Sequence, residues 1–322
     1  MAVYPTAELM PKAKRPRLKT SISVVGAGRL GQAFALALDA SGYRVDALVA
    51  RQARRAKKAA ALFRRTNPRV LALGANQLAR LPSSDLILIA TPDDGIEETA
   101  LKLAFNENGR VQGRTVLHTS GALSSAVLAP LAQAGFHTGS LHPLVSVSEP
   151  RSGAKALRGA FYCVEGDKTA VKLAKRIVSA LGGKSFSIRS ERKALYHAAA
   201  VMASPHVTAL FDLATQLLAA CGLSRKGARQ VLMPLLESTV NNLRVSGPAK
   251  ALTGTFARGD FATVKKHLAA LSELAELAEL SGEKQSEALE VYKLLGLQSM
   301  KLAEENGLDP QLLEQIRQLL LR

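Results

Sequence analysis

A chain of 322 residues with 47% hydrophobic content can bury the cores of two domains. Its net charge of +17 is concentrated in two stretches, five basic residues from Lys12 to Lys19 and seven from Arg51 to Arg65; outside them the excess is about five, which, with 4% aromatic residues and no reader motif, argues against a nucleic-acid partner. No apolar run reaches membrane-spanning length, and Cys163 and Cys221 have no metal or redox spacing, so no membrane span and no metal site are expected, and the setting reads as reducing and cytoplasmic.

Residues 1–20 carry three prolines and scattered basic residues without periodicity, and read as a disordered, solubilising leader. The first element is Ile22 to Val25, a β-branched run expected to be a buried parallel strand. It leads into Gly26-Ala27-Gly28-Arg29-Leu30-Gly31 and then into Gln-Ala-Phe-Ala-Leu-Ala-Leu, which has helical periodicity. Strand, glycine turn and helix in this order make the dinucleotide-binding fingerprint. Gly26 allows the tight turn, Gly28 lets the backbone approach a pyrophosphate, and Gly31 lets helix and strand pack closely. The helix N-terminus offers its free N–H groups to the phosphates.

A second strand is expected from Arg44 to Val49. In NAD-binding sheets this strand closes on an acidic residue that holds the ribose hydroxyls. Here Asp46 falls in mid-strand, and the strand end carries Ala50-Arg51, with Arg54 and Arg55 in the next turn. A guanidinium binds the 2′-phosphate that a carboxylate would repel, so Arg51 and Arg54 point to NADP(H) as the cofactor. Lys57, Lys58, Arg64 and Arg65 read as a solvated helix face.

Val70 to Leu73 forms a third expected strand, and Asp85 to Ala90 a fourth that Thr91-Pro92 breaks. Ligands sit outside the carboxyl ends of parallel strands, which places Ala90, Thr91 and Pro92 at the cofactor. The acidic turn that follows (Asp94, Glu97, Glu98) needs only the helix dipole to explain it. A fifth strand, Thr115 to His118, runs into Thr119-Ser120-Gly121-Ala122, and a sixth, Thr138 to Leu141, into His142-Pro143. Their polar ends, Ser120 and His142 among them, would floor the nicotinamide and substrate site. Ala160 to Glu165, a helix from Val171 to Leu181, and Lys184 to Ile188 complete the sheet.

From about residue 190, Ala/Leu/Glu/Lys helices replace β-branched runs. The expected architecture is therefore an α/β Rossmann domain over 21–189, with a mostly parallel doubly wound sheet, followed by an all-α domain over 190–322. Ser190 reads as the N-cap of the first helix there, which puts Lys193 in the first turn and His197 one turn later on the same face. A cation in the first turn opposes the helix dipole, so Lys193 is expected to be held by an anion or to be functional. Ala251 to Asp260 is a polar, glycine-punctuated island in which Thr253, Arg258 and Asp260 are candidate substrate contacts; alternatively Asp260 caps the next helix and pairs with Arg258. Leu268 to Leu280 is a leucine stripe that reads as core or oligomer surface.

The glycine fingerprint, Ala90-Thr-Pro-Asp-Asp94, His118-Thr-Ser-Gly-Ala122, Leu141-His-Pro-Leu144, Lys193-x-x-Tyr-His-Ala-Ala-Ala200 and Thr253-Gly-x-x-Ala-Arg-Gly-Asp260 together resemble the Rossmann-like proteins that carry a helical C-terminal domain of unknown function. These are similar to deazaflavin-dependent NADP reductases, pyrroline-5-carboxylate reductases and β-hydroxyacid dehydrogenases. The resemblance implies an NADP-type site between the two domains and a homodimer formed through the helical one. In the hydroxyacid enzymes a helix carries Lys-x-x-x-Asn as the acid/base pair, and Lys193-x-x-x-His197 matches its spacing. The sequence departs from the family pattern at His197, which stands in place of that asparagine, at Thr255, where proline is usual, and at Pro205, where asparagine is usual.

The function expected from these readings is hydride transfer between NADP(H) and a small C=O or C=N substrate, with Lys193, His197 and His142 as the catalytic residues. The rival expectation is an NADP(H)-binding sensor or scaffold without catalysis.

Overall fold

The computed structural model describes residues 20–63, 67–106, 113–280 and 287–322. The basic leader before Thr20, and Arg64 and Arg65, lie outside the described residues. Contacts divide the chain into two compact units, one ending at Ser204 and the other beginning at Pro205.

The first unit is a sheet with helices on both faces. Its strands are β1 (Ser21–Val25), β2 (Arg44–Ala50), β3 (Leu71–Gly74), β4 (Leu86–Ile89), β5 (Thr115–His118), β6 (His137–Pro143), β7 (Phe161–Gly166) and β8 (Lys184–Phe186). They lie in the order β3-β2-β1-β4-β5-β6-β7-β8. Every pairing is parallel except β6 with β7. The order reverses between β1 and β4, which makes the carboxyl ends of those two strands the switch point where such sheets bind ligands.

The helices of this unit are α1 (Arg29–Ala40), α2 (Ala53–Ala60), α3 (Ile96–Asn106), α4 (Ala129–Gln133), α5 (Pro150–Ala156), α6 (Lys168–Ala180) and α7 (Lys193–Ala203). Strand side chains alternate between two cores, as the two-residue period of a pleated strand requires. Ile22, Val24, Leu86 and Leu88 pack under α1 and α6 on one face. Val25, Ile87, Ile89 and Val116 pack under α3 and α4 on the other. Both faces are covered, which is why these strands read as continuous apolar runs.

The unit extends one helix beyond the compositional break near residue 190, because α7 is tied to the sheet through Lys193. The start of α7 also differs from expectation. Ser190 opens a short 3-10 turn, Ser190–Arg192, and Arg192 occupies the N-cap without a side-chain hydrogen bond, so Lys193 is the first helical residue.

The second unit is helical: α8 (Pro205–Ala220), α9 (Arg225–Ser246), α10 (Pro248–Ala251), α11 (Thr255–Arg258), α12 (Phe261–Leu280), α13 (Ala288–Glu305) and α14 (Pro310–Leu321). Val264 and Leu268 of α12, Met300 and Ala303 of α13, and Leu313, Ile316 and Leu320 of α14 form its core. The leucine stripe thus enters the core at Leu268, whereas Leu277 and Leu280 at its far end are exposed. Among the described residues no helix is long and apolar enough to cross a membrane.

Candidate functional site

The three glycines of the fingerprint turn have three different environments. Gly26 has φ +106°, and a Cβ there would stand 2.4 Å from the carbonyl carbon of Ala90 and 2.6 Å from the Thr91 nitrogen. Its lack of a side chain lets the turn close onto the end of β4. A Cβ on Gly31 would stand 2.1 Å from the Gly26 oxygen, so α1 lies directly on the turn. Gly28 is the opposite case: nothing lies within 4 Å of its Cβ position. It is the N-cap of α1, with no side-chain cap, and it opens on a cleft of about 550 Å³.

That cleft collects the carboxyl ends of β1, β4, β5 and β6. Gly28, Arg29 and Leu30 line it from the glycine turn, Ala90 to Asp93 from β4, and Thr119 to Gly121 from β5. His142, Pro143, Val145 and Val147 close the far side with His197 of α7. Two polar features are notable. The Thr91 hydroxyl oxygen is buried without a hydrogen-bond partner among the described residues. Ser120 Oγ donates to Asp93 Oδ2 at 2.8 Å and accepts from the backbone N–H groups of Ala122 (3.1 Å) and Leu123 (3.0 Å), which joins the ends of β4 and β5.

Arg51 is exposed just past the end of β2. The backbone N–H groups of Gly26 and Ala27 donate to the Val49 carbonyl at 2.9 and 2.8 Å, so the strand end that carries Arg51 is fixed beside the glycine turn. Arg54 is also exposed, and its Nε donates to Gln52 Oε1 at 2.8 Å. Asp46 lies near the opposite end of β2, where it pairs with Arg44 at 2.7 Å and accepts from Ser84 Oγ at 2.8 Å. Asp46 therefore does not compete for the position that Arg51 and Arg54 flank.

Lys193 is 1% exposed and is not part of the cleft lining. Its Nζ donates to Ser140 Oγ at 2.5 Å, to the Ser120 carbonyl at 3.3 Å and to Glu165 Oε1 at 3.4 Å. Glu165 in turn accepts from the Ser125 N–H and the Ser125 Oγ, both at 2.7 Å. The anion that a first-turn lysine calls for is thus Glu165, and the pair ties α7 to the ends of β5, β6 and β7. Burial pulls the Lys193 pKa down, and the Glu165 carboxylate opposes that shift. Sequence reasoning did not single out Glu165. Its signal was a carboxylate closing the apolar run Phe161-Tyr-Cys-Val.

His142 and His197 do reach the cleft. Their rings are edge-on with centroids 5.7 Å apart, and Gly121 is what admits both. A Cβ on Gly121 would stand 2.5 Å from His197 Cδ2 and 2.7 Å from His142 Nε2. His142 Nδ1 is hydrogen-bonded to Tyr196 Oη at 2.7 Å. The site therefore brings His142, His197, Ser120, Thr91 and the glycine turn together, and it adds Tyr196 and Gly121.

Thr253, Arg258 and Asp260 belong to the helical unit. Thr253 is exposed before α11, and Arg258 Nη2 pairs with Asp260 Oδ2 at 2.7 Å.

Two family models match successive parts of the chain. Residues 5–143 match a Rossmann-like domain, and residues 160–299 match a domain of unknown function, DUF2520. The chain is a Rossmann-like protein with a DUF2520 domain. The DUF2520 match begins at β7, so it contains Glu165, Lys193, Tyr196 and His197 along with much of the helical unit. The fingerprint turn, Thr91, Ser120 and His142 fall within the Rossmann-like match.

No curated protein matches the sequence. Among solved structures, protein TM1727 of Thermotoga maritima is 24% identical, with a TM-score of 0.63 over 88% of this chain and 99% of its own. A Bacteroides fragilis protein provisionally assigned as an NADP oxidoreductase is 20% identical, with a TM-score of 0.68 over 89% and 98%. A reductive aminase of Aspergillus terreus, solved with NADPH and ethyl levulinate, is 17% identical, with a TM-score of 0.57 over 92% and 98%. At these identities the likeness establishes the fold shared by Rossmann-like proteins with helical C-terminal regions.

Burial of two histidines is expected to make the fold sensitive to acid. The pKa of His118 falls from 6.5 to about 3; burial is the main cause and Lys193 adds repulsion, while the Ser124 backbone opposes them. That of His142 falls to about 4 through burial, then through repulsion from His197 and Lys193. The unfolded chain takes up these protons near pH 6.5 while the fold resists them, so unfolding becomes easier as pH drops. Stability is expected to be complete above pH 6.5 and to decline towards pH 4, by roughly 3 kcal/mol per histidine. Urea unfolding across that window checks this. The decline should be shallower in His142→Gln, and an equal slope would refute the contribution of His142.

Proposed function

We propose that the protein is an NADP(H)-dependent oxidoreductase whose cofactor lies across the β1/β4 switch point and whose substrate is a small carbonyl or imine compound in the same cleft. The observation that carries this reading is the pairing of an open glycine at the α1 N-terminus with an arginine at the end of β2. The residues suit such a cofactor. Gly28 leaves the space that a pyrophosphate needs, the uncapped first turn of α1 supplies N–H donors, and Thr91 lines the same cleft. Arg51, with Arg54 beside it, would hold the 2′-phosphate.

When bound, the cofactor supplies a hydride. The chain itself positions the reacting groups and handles the proton. Asp93 and Ser120 fix the loop ends of β4 and β5, and Gly121 lets His142 and His197 reach the cleft. Lys193 and Glu165, buried behind that wall, brace it rather than contacting ligand. His142 and His197 are the side chains placed to donate a hydrogen bond or a proton. The reductive aminase that shares the fold was solved with NADPH, which supports the cofactor assignment.

Oxidation of NADPH by a panel of small aldehydes, ketones and imines tests the reading. Turnover that disappears in a His142→Gln/His197→Gln double variant is the expected result. Bound NADPH that no member of the panel oxidises would favour a sensor instead.

A further inference from the structure

Tyr196 is absent from the cleft lining, yet its hydroxyl reaches His142 Nδ1 at 2.7 Å. Its ring is half-buried and held edge-on both by Phe186, at 5.9 Å, and by the His142 ring, at 5.5 Å. The direction of that hydrogen bond sets the tautomer of His142. Among the described residues Tyr196 Oη has no other partner. If Nδ1 carried the proton, the tyrosine hydroxyl proton would have no protein acceptor and Nε2 would be a bare acceptor. If Tyr196 donates, Nδ1 is satisfied and the imidazole proton sits on Nε2. Nε2 is the atom beside Gly121, at the cleft wall, and it makes no hydrogen bond with any described residue.

The charge environment keeps this imidazole neutral. Three residues of α7 surround it: Lys193, Tyr196 and His197. His118 lies on the adjacent β5, and Cys163 of β7 is the register partner of His142. Of the nearby carboxylates, Glu165 is taken up by Lys193 and Ser125, and Asp93 by Ser120. Burial and two cationic or ionisable neighbours therefore hold His142 well below its ordinary pKa, at about 4.

We propose that Tyr196 is a positioning residue that fixes His142 as a neutral Nε2–H donor for a ligand oxygen in the cleft. This inference rests on the oxidoreductase reading and narrows its substrate class to uncharged compounds, carbonyls foremost, and away from iminium cations. A ketone or aldehyde oxygen accepts such a hydrogen bond, whereas an iminium cation has no lone pair to accept it. As charge grows on that oxygen, the Nε2–H hydrogen bond to it strengthens. A solvent proton entering the cleft completes the alcohol, and burial of Tyr196, which disfavours its tyrosinate, keeps the Tyr196 and His142 protons where they began. Holding the imidazole neutral makes it a hydrogen-bond donor that does not change charge near neutral pH.

The test is ¹⁵N NMR of the full-length chain labelled at its six histidines, with His142 assigned by its loss in His142→Gln. Between about pH 6 and 8, His142 should show an unprotonated Nδ1 and a protonated Nε2, with no titration. Tyr196→Phe keeps the ring and its packing, and should shift Nδ1 and mix the tautomers. With NADP⁺ present, cyclopentanone should move the Nε2 resonance and the N-methylpyrrolinium cation should not. A charged His142, an Nδ1–H tautomer, an unaltered tautomer in Tyr196→Phe, or a resonance that ignores the ketone would each overturn the proposal. Cofactor binding is read separately from the fluorescence of NADPH itself, because the chain has no tryptophan. Failure of that binding would count against the oxidoreductase reading while leaving the tautomer measurement interpretable.

Discussion

Lys193→Met is expected to lower the free energy of unfolding by about 3–5 kcal/mol, because it leaves Glu165 charged and buried without its cation. The two groups are 1% and 8% exposed, so water cannot replace the lost partner. Restoring neutrality should recover much of the loss: Lys193→Met with Glu165→Gln removes both charges and keeps similar volumes. Urea denaturation of the two single variants and the double variant measures the coupling. A loss below about 1 kcal/mol in Lys193→Met would mean that the pair behaves like an exposed one and does not brace the sheet ends.

The second large effect separates binding from folding. Gly28→Asp should abolish NADPH binding, by about a hundredfold or more, while leaving the protein as stable as before or slightly more so. Gly28 has φ −74° and open space at its Cβ position, so a side chain meets neither strain nor a clash. An aspartate at an N-cap satisfies first-turn N–H groups and stabilises a helix by roughly a few tenths of a kcal/mol over glycine. The same carboxylate would occupy the approach of a pyrophosphate and repel it, at a cost of several kcal/mol in a partly shielded site. Thermal unfolding and NADPH fluorescence on the same sample read both effects. Gly26 and Gly31 offer no such separation, because a side chain at either would strike the backbone. Retained NADPH affinity in Gly28→Asp would place the pyrophosphate elsewhere.

The sheet was largely legible because its strands are buried on both faces and so appear as short β-branched runs between turns. The strand spanning Thr115 to His118 agrees at both ends, and the others differ by a few residues. The reversed direction of β7 was not legible, since a single strand carries no mark of its partner's direction. That reversal sets Glu165 opposite Ser140 and so within reach of Lys193, a contact between residues 28 positions apart. The sequence flagged Lys193 as a cation in a helical first turn that needed an anion, but it did not identify the anion. It also put Lys193 and His197 on one helix face; the fold buries the first and brings the second to the cleft. Tyr196 lies within the quoted Lys-x-x-Tyr-His motif but attracted no role, because a tyrosine does not titrate near neutral pH and its importance depends on where its hydroxyl points. Gly121 fell within the polar strand end expected at the site, but its role in admitting two imidazoles depends on the fold.

The cofactor assignment is the foundation of the functional account, and parallel titration of the protein and of Arg51→Ala with NADPH and NADH tests it most directly. The account predicts that NADPH binds more tightly than NADH, and that Arg51→Ala loses about tenfold to a hundredfold in NADPH affinity while NADH is little changed. Equal affinity for the two nucleotides in both proteins, or binding of neither, would contradict it.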